Sequence, residues 1–172
     1  GVFDGTSYSV SAGTPSSNTV SMTRHASIPN YIDAQTFSTL FTTDRWDRPS
    51  DPVMNFSIPL AQDNYIVNLY LANYYFATND PGERVFDIDI EGTVVQSDFD
   101  IITEFGNQVG GMLSFPVTLS DGVLNISFLH GLIENPVVSA IEIRALIVDN
   151  TSKSVNSESK ILSIATSEDE FE

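Results

Sequence analysis

Apolar and polar residues alternate with a period of two along much of the chain. Such alternation places all apolar side chains of a segment on one face of an extended strand. Six segments show the pattern, at residues 54–58, 65–71, 86–90, 115–119, 124–128 and 141–145. Helical periodicity is nearly absent, so we predict a fold built from strands.

Short segments that favour chain reversal separate these strands. They are rich in Gly, Pro, Asn and Asp, whose backbone preferences suit turns, and lie at residues 62–64, 79–82, 91–92, 110–111, 121–122 and 134–136. Strands at a spacing of roughly ten residues with turns between them are typical of an antiparallel sandwich. We therefore predict an all-β antiparallel β-sandwich of the jelly-roll kind.

The composition of the chain changes near residue 148. Residues 1–148 are predicted to form the sandwich domain, with a loop-dominated, Ser- and Thr-rich start over the first 36 residues. Residues 149–172 read as a polar linker and a tail that ends in the acidic run 168–172. Within that tail, the apolar residues of 161–164 predict one short added strand.

The charge of the chain restricts its partners. It has 172 residues, with 7 Lys and Arg against 23 Asp and Glu, a formal net charge of −16 and no Cys. Such a charge repels phosphates, so nucleic acid is not expected as a partner. The absence of Cys excludes disulfides and Cys-ligated zinc. No apolar run approaches the roughly 18 residues of a membrane span, so we expect no direct membrane insertion, and with no visible signal peptide we expect a module of a larger protein.

No motif for catalysis occurs in the sequence. There is no Gly-x-Ser-x-Gly elbow, phosphate-binding loop, His-Glu-x-x-His or dinucleotide fingerprint, and His25 and His130 are the only histidines. We therefore expect no enzyme and no metal site. The acidic strand residues are interpreted as a solvated sheet face, with Ca²⁺ as the one cofactor that they leave open: Asp87, Asp89, Glu91, Asp98 and Asp100.

Six sequence pieces in fixed order resemble the malectin family, which includes malectin-like carbohydrate-binding modules. They are Leu-Phe-Thr-Thr-Asp-Arg-Trp at 40–46, the strand at 65–72 that leads to Tyr75 and Phe76, Gly-Glu-Arg-Val-Phe-Asp-Ile at 82–88, Asp-Phe-Asp-Ile at 98–101, Asp-Gly-Val-Leu at 121–124 and Glu-Asn-Pro at 134–136 leading to 140–143. The resemblance implies a galactose-binding-like, malectin-like sandwich whose loops at one end hold a sugar.

The resemblance assigns four residues to that sugar site. Trp46 follows the Thr-acid-Arg motif, Tyr75 and Phe76 follow the long central strand, and Glu134 precedes Asn-Pro. Aromatic rings suit sugars because the C–H face of a pyranose packs on them, and a carboxylate accepts hydrogen bonds from hydroxyls. Since Tyr74, Tyr75 and Phe76 are consecutive, an extended chain leaves at least one of them exposed.

The chain departs from the family pattern in its N-terminal region. The usual opening strand that ends in Gly-Gly is missing, and a further family aromatic has no clear counterpart, with Tyr8 and Tyr31 as its two candidates. Two of the seven basic residues, Arg45 and Arg84, are expected in internal ion pairs with an acid such as Asp44, Asp87 or Asp100.

Three N-glycosylation sequons begin at Asn55, Asn125 and Asn150, the first two on the outward face of predicted strands. They count as modification sites only in a eukaryotic secretory protein.

Together these features predict a non-catalytic carbohydrate-binding module that recognises neutral sugars, such as glucan-like oligosaccharides or glycans. We expect it to be secreted, extracellular or in the lumen of the secretory pathway. The alternative is a structural module that binds protein partners or its own copies in a secreted or cell-surface assembly, associating by strand addition to an open sheet edge.

Overall fold

The computed structural model describes residues 2–3, 6–148, 155–156 and 159–163. The first half of the chain contains β1 Val2–Phe3, β2 Thr6–Ser7, β3 Ser9–Val10, β4 Thr14–Ser17, β5 Thr23–Arg24, α1 Ala34–Leu40, β6 Thr43–Trp46, β7 Met54–Pro59, β8 Asn64–Leu71 and β9 Val85–Ile90. The second half contains β10 Thr93–Asp100, α2 Ile101–Phe105, β11 Val109–Thr118, β12 Val123–Ile133, β13 Val137–Val138, β14 Ala140–Ala145, β15 Ile147–Val148, β16 Val155–Asn156 and β17 Ser159–Ser163.

Two five-stranded sheets make up most of the protein. One has the strand order β10-β9-β12-β7-β3 and the other β17-β14-β8-β11-β5. All their pairings are antiparallel apart from the short parallel contact of β5 with β11. The predicted all-β antiparallel sandwich is therefore confirmed. Five of the six predicted strands lie within strands of these sheets, and the sixth, 115–119, extends one residue beyond the end of β11.

The alternating apolar residues of both sheets form one core. In β7 the side chains of Met54, Phe56 and Ile58 are buried, and Val67 and Leu69 of β8 are buried in the same cluster. Burying a side chain of this size contributes about 2 kcal/mol relative to leaving it in water. The period-two pattern therefore supplies the main driving force for the sandwich.

One predicted turn proves to be part of a strand. Gly110 and Gly111 lie inside β11, where a Cβ on Gly110 would come within 2.7 Å of the Phe41 ring and one on Gly111 within 2.3 Å of the Phe105 ring. These glycines are present because aromatic rings pack directly on the strand backbone. A turn between 110 and 111 was the wrong interpretation.

A second, smaller core covers the outer face of β8 and β14. The side chains of Ile28, Ile32, Phe37, Leu40 and Phe41 pack there around Tyr70, Ala72 and Ala140. Helix α1 belongs to this layer and is N-capped by Asp33, whose carboxylate accepts from the Thr36 N–H at 2.7 Å. The N-terminal region is thus more than loop, because it seals one side of the sheet.

A buried carboxylate lies next to this outer core. Glu142 on β14 is fully buried and accepts hydrogen bonds from Asn68 Nδ2 at 2.8 Å, the Tyr70 hydroxyl at 2.8 Å and the Tyr31 hydroxyl at 3.0 Å. Burial and this carboxylate hold the pKa of Tyr70 well above its usual value. The network fastens Tyr31, and with it the start of the outer layer, to the sheet.

The C-terminal segment adds a strand at the edge of one sheet. β17 pairs with β14 in antiparallel register, from Ala140 opposite Ser163 to Arg144 opposite Ser159. It overlaps the strand predicted at 161–164, while Ile164, Asn150 and the acidic run 168–172 lie outside the described residues. The domain boundary at residue 148 stays a prediction.

No helix in the described ranges is long and apolar enough to cross a membrane.

We predict that deleting residues 150–172 lowers the free energy of unfolding by about 1–3 kcal/mol, because β14 loses the hydrogen bonds of its edge partner and part of that loss is offset by chain entropy. Urea denaturation measures the change, and deletion of 164–172, which leaves β17 in place, is the matched control. Equal stability of the two truncated proteins would contradict a role for β17.

Candidate functional site

An open cavity of about 450 Å³ lies where several separate chain segments meet. Its lining combines aromatic rings, carboxylates and amides, contributed by Ser16, Asn18, Asp44, Trp46, Tyr74, Tyr75, Arg84, Glu134, Asn135 and Val137. Its size is within the range of small-ligand sites.

Three of the four predicted site residues meet at this cavity. Trp46, Tyr75 and Glu134 all line it. Phe76 does not line it: its ring lies edge-on to Tyr75 with centroids 5.1 Å apart, and its side chain is 81% exposed. The expectation that at least one of the three consecutive aromatic residues is exposed is therefore confirmed.

Strand pairing fixes the position of Trp46. It ends β6, opposite Thr14 of β4 on one side and Val137 of β13 on the other. The backbone N–H of Asp47 donates to the Pro136 carbonyl at 3.1 Å, and the Arg48 guanidinium lies 5.6 Å from the centre of the Trp46 ring. The ring is thus half-buried at the cavity wall, although its neighbours in the sequence are charged residues.

A buried amide shapes the turn that carries the tyrosines. Asn73 donates through Nδ2 to the carbonyls of Tyr75 at 3.2 Å and Thr78 at 2.7 Å, and its Oδ1 accepts from the Thr78 hydroxyl at 2.9 Å. These three bonds close the turn on itself, which presents Tyr75 to the cavity.

Tyr74 is a wall residue that the sequence did not identify. Its hydroxyl donates to the Phe41 carbonyl at 2.9 Å and lies 3.1 Å from the Ser139 hydroxyl, and burial raises its pKa well above the usual value. Neither N-terminal candidate for a further aromatic takes part: Tyr8 stacks on Phe56 in the main core, and Tyr31 binds Glu142. The run of three consecutive aromatic residues is the sequence feature that could have identified Tyr74.

A buried carboxylate also faces the cavity. Asp44 is 4% exposed and accepts from the Ser16 hydroxyl and from Asn18 Nδ2, the latter at 2.9 Å. Burial nevertheless raises the pKa of Asp44 above its usual value, against the opposing effect of these donors and of Arg84. Ser16 and Asn18 lie in a Ser- and Thr-rich stretch without a distinguishing motif, so no sequence signal marks them.

The expected ion pairs of Arg45 and Arg84 were wrong. Arg45 Nη1 donates to the Gly13 carbonyl at 2.6 Å. Arg84 Nε donates to Asn73 Oδ1 at 3.2 Å and Nη1 to the Asn135 carbonyl at 2.6 Å. Two of the carboxylates that were expected to pair with these arginines bind backbone N–H groups instead. Asp87 accepts from the Asp98 N–H, and Asp100 accepts from the N–H groups at the start of α2. Two backbone carbonyls and one side-chain amide oxygen thus took the place of acids.

Burial disfavours the charged form of the Arg84 side chain. The side chain is 5% exposed, and desolvation lowers its pKa, which the charges of Glu134 and Asp44 oppose. One guanidinium and two carboxylates therefore share the cavity, and their formal charges sum to −1.

Glu134 and Asn135 form the remaining polar wall. Glu134 has a left-handed backbone with φ of 58° and accepts from Asn135 Nδ2 at 3.0 Å through Oε1. A residue other than glycine in this conformation is strained by about 1 kcal/mol or more. Asn135 Oδ1 is enclosed and has no hydrogen-bond partner.

The two histidines lie apart. His130 Nε2 is 2.8 Å from Asp47 Oδ2, whereas His25 contacts Ser27 and the Phe105 ring. Among the residues that the structure describes, no group of three or more His, Asp or Glu side chains is arranged to hold a metal ion.

Two of the predicted glycosylation sites lie opposite serines on paired strands. Asn55 faces Ser127 and Asn125 faces Ser57 across β7 and β12, and both asparagines are half-buried rather than freely exposed. Asn125 Oδ1 accepts from the Ser57 hydroxyl at 2.8 Å. A glycan would be attached to Asn125 Nδ2, which donates to the Val123 carbonyl at 3.3 Å.

Comparison with known proteins gives one family. A family model described as "Malectin domain" matches residues 3–141. Malectin from Homo sapiens is 27% identical over 128 residues, which is 66% of this chain and 42% of that protein. Malectin-B from Xenopus laevis is 27% identical over 118 residues, 60% of this chain and 41% of that protein. The chain thus spans about two-fifths of the length of these relatives.

Solved structures share the fold at low identity. The ANX1 ectodomain from Arabidopsis thaliana superposes with a TM-score of 0.65 at 13% identity, covering 89% of this chain and 40% of that one. A plant complex of the peptide RALF23 with FER and LLG2 gives 0.64 at 14%, covering 88% and 40%. A Bacteroides uniformis β-glucuronidase gives 0.63 at 16%, covering 84% of this chain but 15% of the enzyme.

We predict that Asp44→Asn changes how stability depends on pH. Because the folded-state pKa of Asp44 is raised, this residue ionises at lower pH in the unfolded chain, and its contribution to wild-type stability falls as pH rises from 3.8 through the raised value. The asparagine variant lacks this fall, so the difference in unfolding free energy should move in its favour across that window. Urea denaturation at a series of pH values measures it, and a constant difference would contradict the prediction.

We predict that Glu134→Gly is more stable than Glu134→Ala by about 1 kcal/mol, since both lose the same side chain but only glycine relieves the left-handed strain. Chemical denaturation of the two variants measures the difference. Equal stability would show that the backbone at residue 134 relaxes without strain.

Proposed function

Because the chain belongs to the malectin family, we propose that it is a non-catalytic carbohydrate-binding module that recognises neutral sugars such as glucan-like oligosaccharides or glycans. The observation that carries this proposal is the convergence of three rings and a carboxylate on one open cavity: Trp46, Tyr74, Tyr75 and Glu134.

Aromatic stacking and a loop carboxylate supply the recognition. Half-buried Trp46 and half-exposed Tyr75 offer ring faces on which the C–H side of a pyranose packs. The Glu134 carboxylate accepts from sugar hydroxyls. Phe76, which lies outside the cavity against Tyr75, extends the apolar surface to a second sugar ring.

The charges of the cavity favour a neutral ligand. Two carboxylates and one guanidinium line it, within a chain of net charge −16. An anionic sugar would meet repulsion from both the site and the protein as a whole. We expect weak affinity, because a cavity of this size holds one or two sugar rings and gains little beyond the ordering free energy of binding.

We place the module in the lumen of the secretory pathway or outside the cell. The ANX1 and ANX2 structures that share its fold are described as ectodomains, which supports this location.

A second candidate function is protein association by strand addition. The specific observation is that β17 already adds to β14 at the edge of a sheet, which is the geometry that a strand from a partner or a second copy would use. A solved complex of the same fold contains the peptide RALF23 with FER and LLG2. Light scattering on the full chain and on the protein without residues 150–172 tests this function, since deletion should break the association. A mass that the deletion does not reduce, beyond the mass of the removed residues, contradicts self-association through this segment.

We predict that Trp46→Ala weakens sugar binding about 5–10-fold, the loss expected for one aromatic contact. Trp46 is the only tryptophan, so its emission reports wild-type binding to maltose, cellobiose, laminaribiose and galactobiose. Calorimetry then compares the variant with wild type.

The control is Val94→Ala, an exposed apolar residue on β10 that does not line the cavity. Absence of saturable binding to every sugar of a broad glucan and galactan panel would overturn the proposed function.

A further inference from the structure

A second cavity, of about 290 Å³, lies between strands β9, β10 and β12. None of its described lining residues belongs to the first cavity, and none of them is Lys or Arg. The lining combines two carboxylates and one imidazole with apolar side chains and a glycine: Val85, Phe86, Asp87, Asp98, His130, Gly131 and Ile133. The proposed carbohydrate-binding function does not use this cavity.

The imidazole of His130 is held from behind by a buried carboxylate. Its Nε2 lies 2.8 Å from Oδ2 of Asp47, which is fully buried. Because an ionised carboxylate only accepts hydrogen bonds, Nε2 carries the proton, and Nδ1 of the neutral ring is then an acceptor. Nδ1 has no partner in the described part of the chain, and unlike Oδ1 of Asp47 it is not enclosed by protein. The ring therefore offers one acceptor to the cavity.

The charge of Asp47 is only partly compensated. Its Oδ2 also accepts from the Met54 N–H at 2.9 Å, but its Oδ1 is enclosed and has no partner. Little water screens a buried charge, so the negative potential around it is strong. Since His130 contacts both Asp47 and the cavity, this potential favours a cation in the cavity.

The two carboxylates of the cavity retain most of their acceptors. In the described part of the chain, the Asp87 side chain accepts one hydrogen bond, through Oδ1 from the Asp98 N–H at 2.7 Å. The exposed Asp98 carboxylate has no protein donor there. The second oxygen of Asp87, both oxygens of Asp98 and Nδ1 of His130 are therefore available. A positively charged group with several N–H donors would satisfy them.

The size of the cavity suits a single side chain. Cavities that enclose a whole small molecule usually have about 300–1,000 Å³, and this one is smaller. Its apolar wall includes Ile133, whose side chain is 47% exposed. Such a wall covers the methylene stem of a long basic side chain, while the charged end of that side chain reaches the acids.

We propose that this cavity is a docking site for an arginine side chain of a partner protein. The guanidinium donates to the carboxylates of Asp87 and Asp98 and to Nδ1 of His130. Arginine fits better than lysine because its five N–H groups diverge in one plane and reach acceptors on three different strands. The net charge of −16 accelerates the approach of a basic partner. This inference does not rest on the carbohydrate-binding function.

Titration of the full chain with a short arginine peptide tests the proposal. The probe is acetyl-Gly-Gly-Arg-Gly-Gly-amide, and proton–nitrogen correlation NMR follows the protein. We expect saturable shifts at the His130 ring and at the backbone amides of residues 85–87, 98 and 130–133. The dissociation constant should be millimolar, as expected for a few charge-assisted hydrogen bonds. The ring of His25, which does not line the cavity, should not shift, and the uncharged citrulline peptide should not bind.

A matched pair of variants separates the cavity from the general negative charge of the protein. Asp87 and Asp89 are both half-buried on β9 and each accepts a backbone N–H, but only Asp87 lines the cavity. Asp87→Asn should weaken binding of the arginine peptide about 5–10-fold, and Asp89→Asn less than about 2-fold. Asp98→Asn should match Asp87→Asn, and asparagine tolerates the φ of 49° at this position.

The contrary results are distinct from one another. Absence of saturable shifts around the cavity, or an equal loss in Asp87→Asn and Asp89→Asn, overturns the site. Equally tight binding of the lysine peptide overturns the assignment to arginine. Tighter binding of agmatine, a free guanidinium compound, than of the arginine peptide overturns a protein side chain as the occupant. No sugar enters this test, so it succeeds or fails separately from the carbohydrate-binding function.

Discussion

One buried guanidinium joins the segments that make the cavity. Through Nε and Nη1, Arg84 links the turn after β8 to the segment before β13, from its own place just ahead of β9. A buried cation without such acceptors would be strongly destabilising, so these carbonyl and amide oxygens and Arg84 require each other. The positions of Tyr75 and Glu134 follow from that requirement, because each is bonded to, or adjacent to, a residue that Arg84 holds.

The sandwich provides the frame, and the ends of its strands and its turns provide the site. Long paired strands with buried, alternating side chains provide a rigid frame, whereas the ligand-facing groups lie at strand ends and in turns. Trp46 and Val137 are positioned by strand pairing, and Tyr75 by the closed turn at Asn73. This arrangement is general for binding sites, since loops tolerate the polar backbone that a core excludes.

The sequence predicts the frame better than the site. Period-two alternation can be recognised within each segment, so it located the main strands. Helices α1 and α2 are too short to show a helical period and are marked mainly by their caps, Asp33 and Asp100. Trp46, Tyr75 and Glu134 came from family resemblance. Ser16, Asn18 and the partners of Arg84 depend on which distant segments meet, and counting acids near an arginine could not reveal that carbonyls are closer.

The hydrogen bond from Tyr74 to the Phe41 carbonyl connects the cavity to the outer core. Phe41 belongs to the outer core with Phe37 and Leu40, none of which lines the cavity. A substitution that changes the packing of that layer would therefore shift Tyr74, which forms a wall of the site. Evolution can tune ligand preference in such a protein by changing residues that never touch the ligand, while the rings and carboxylate that face it stay the same.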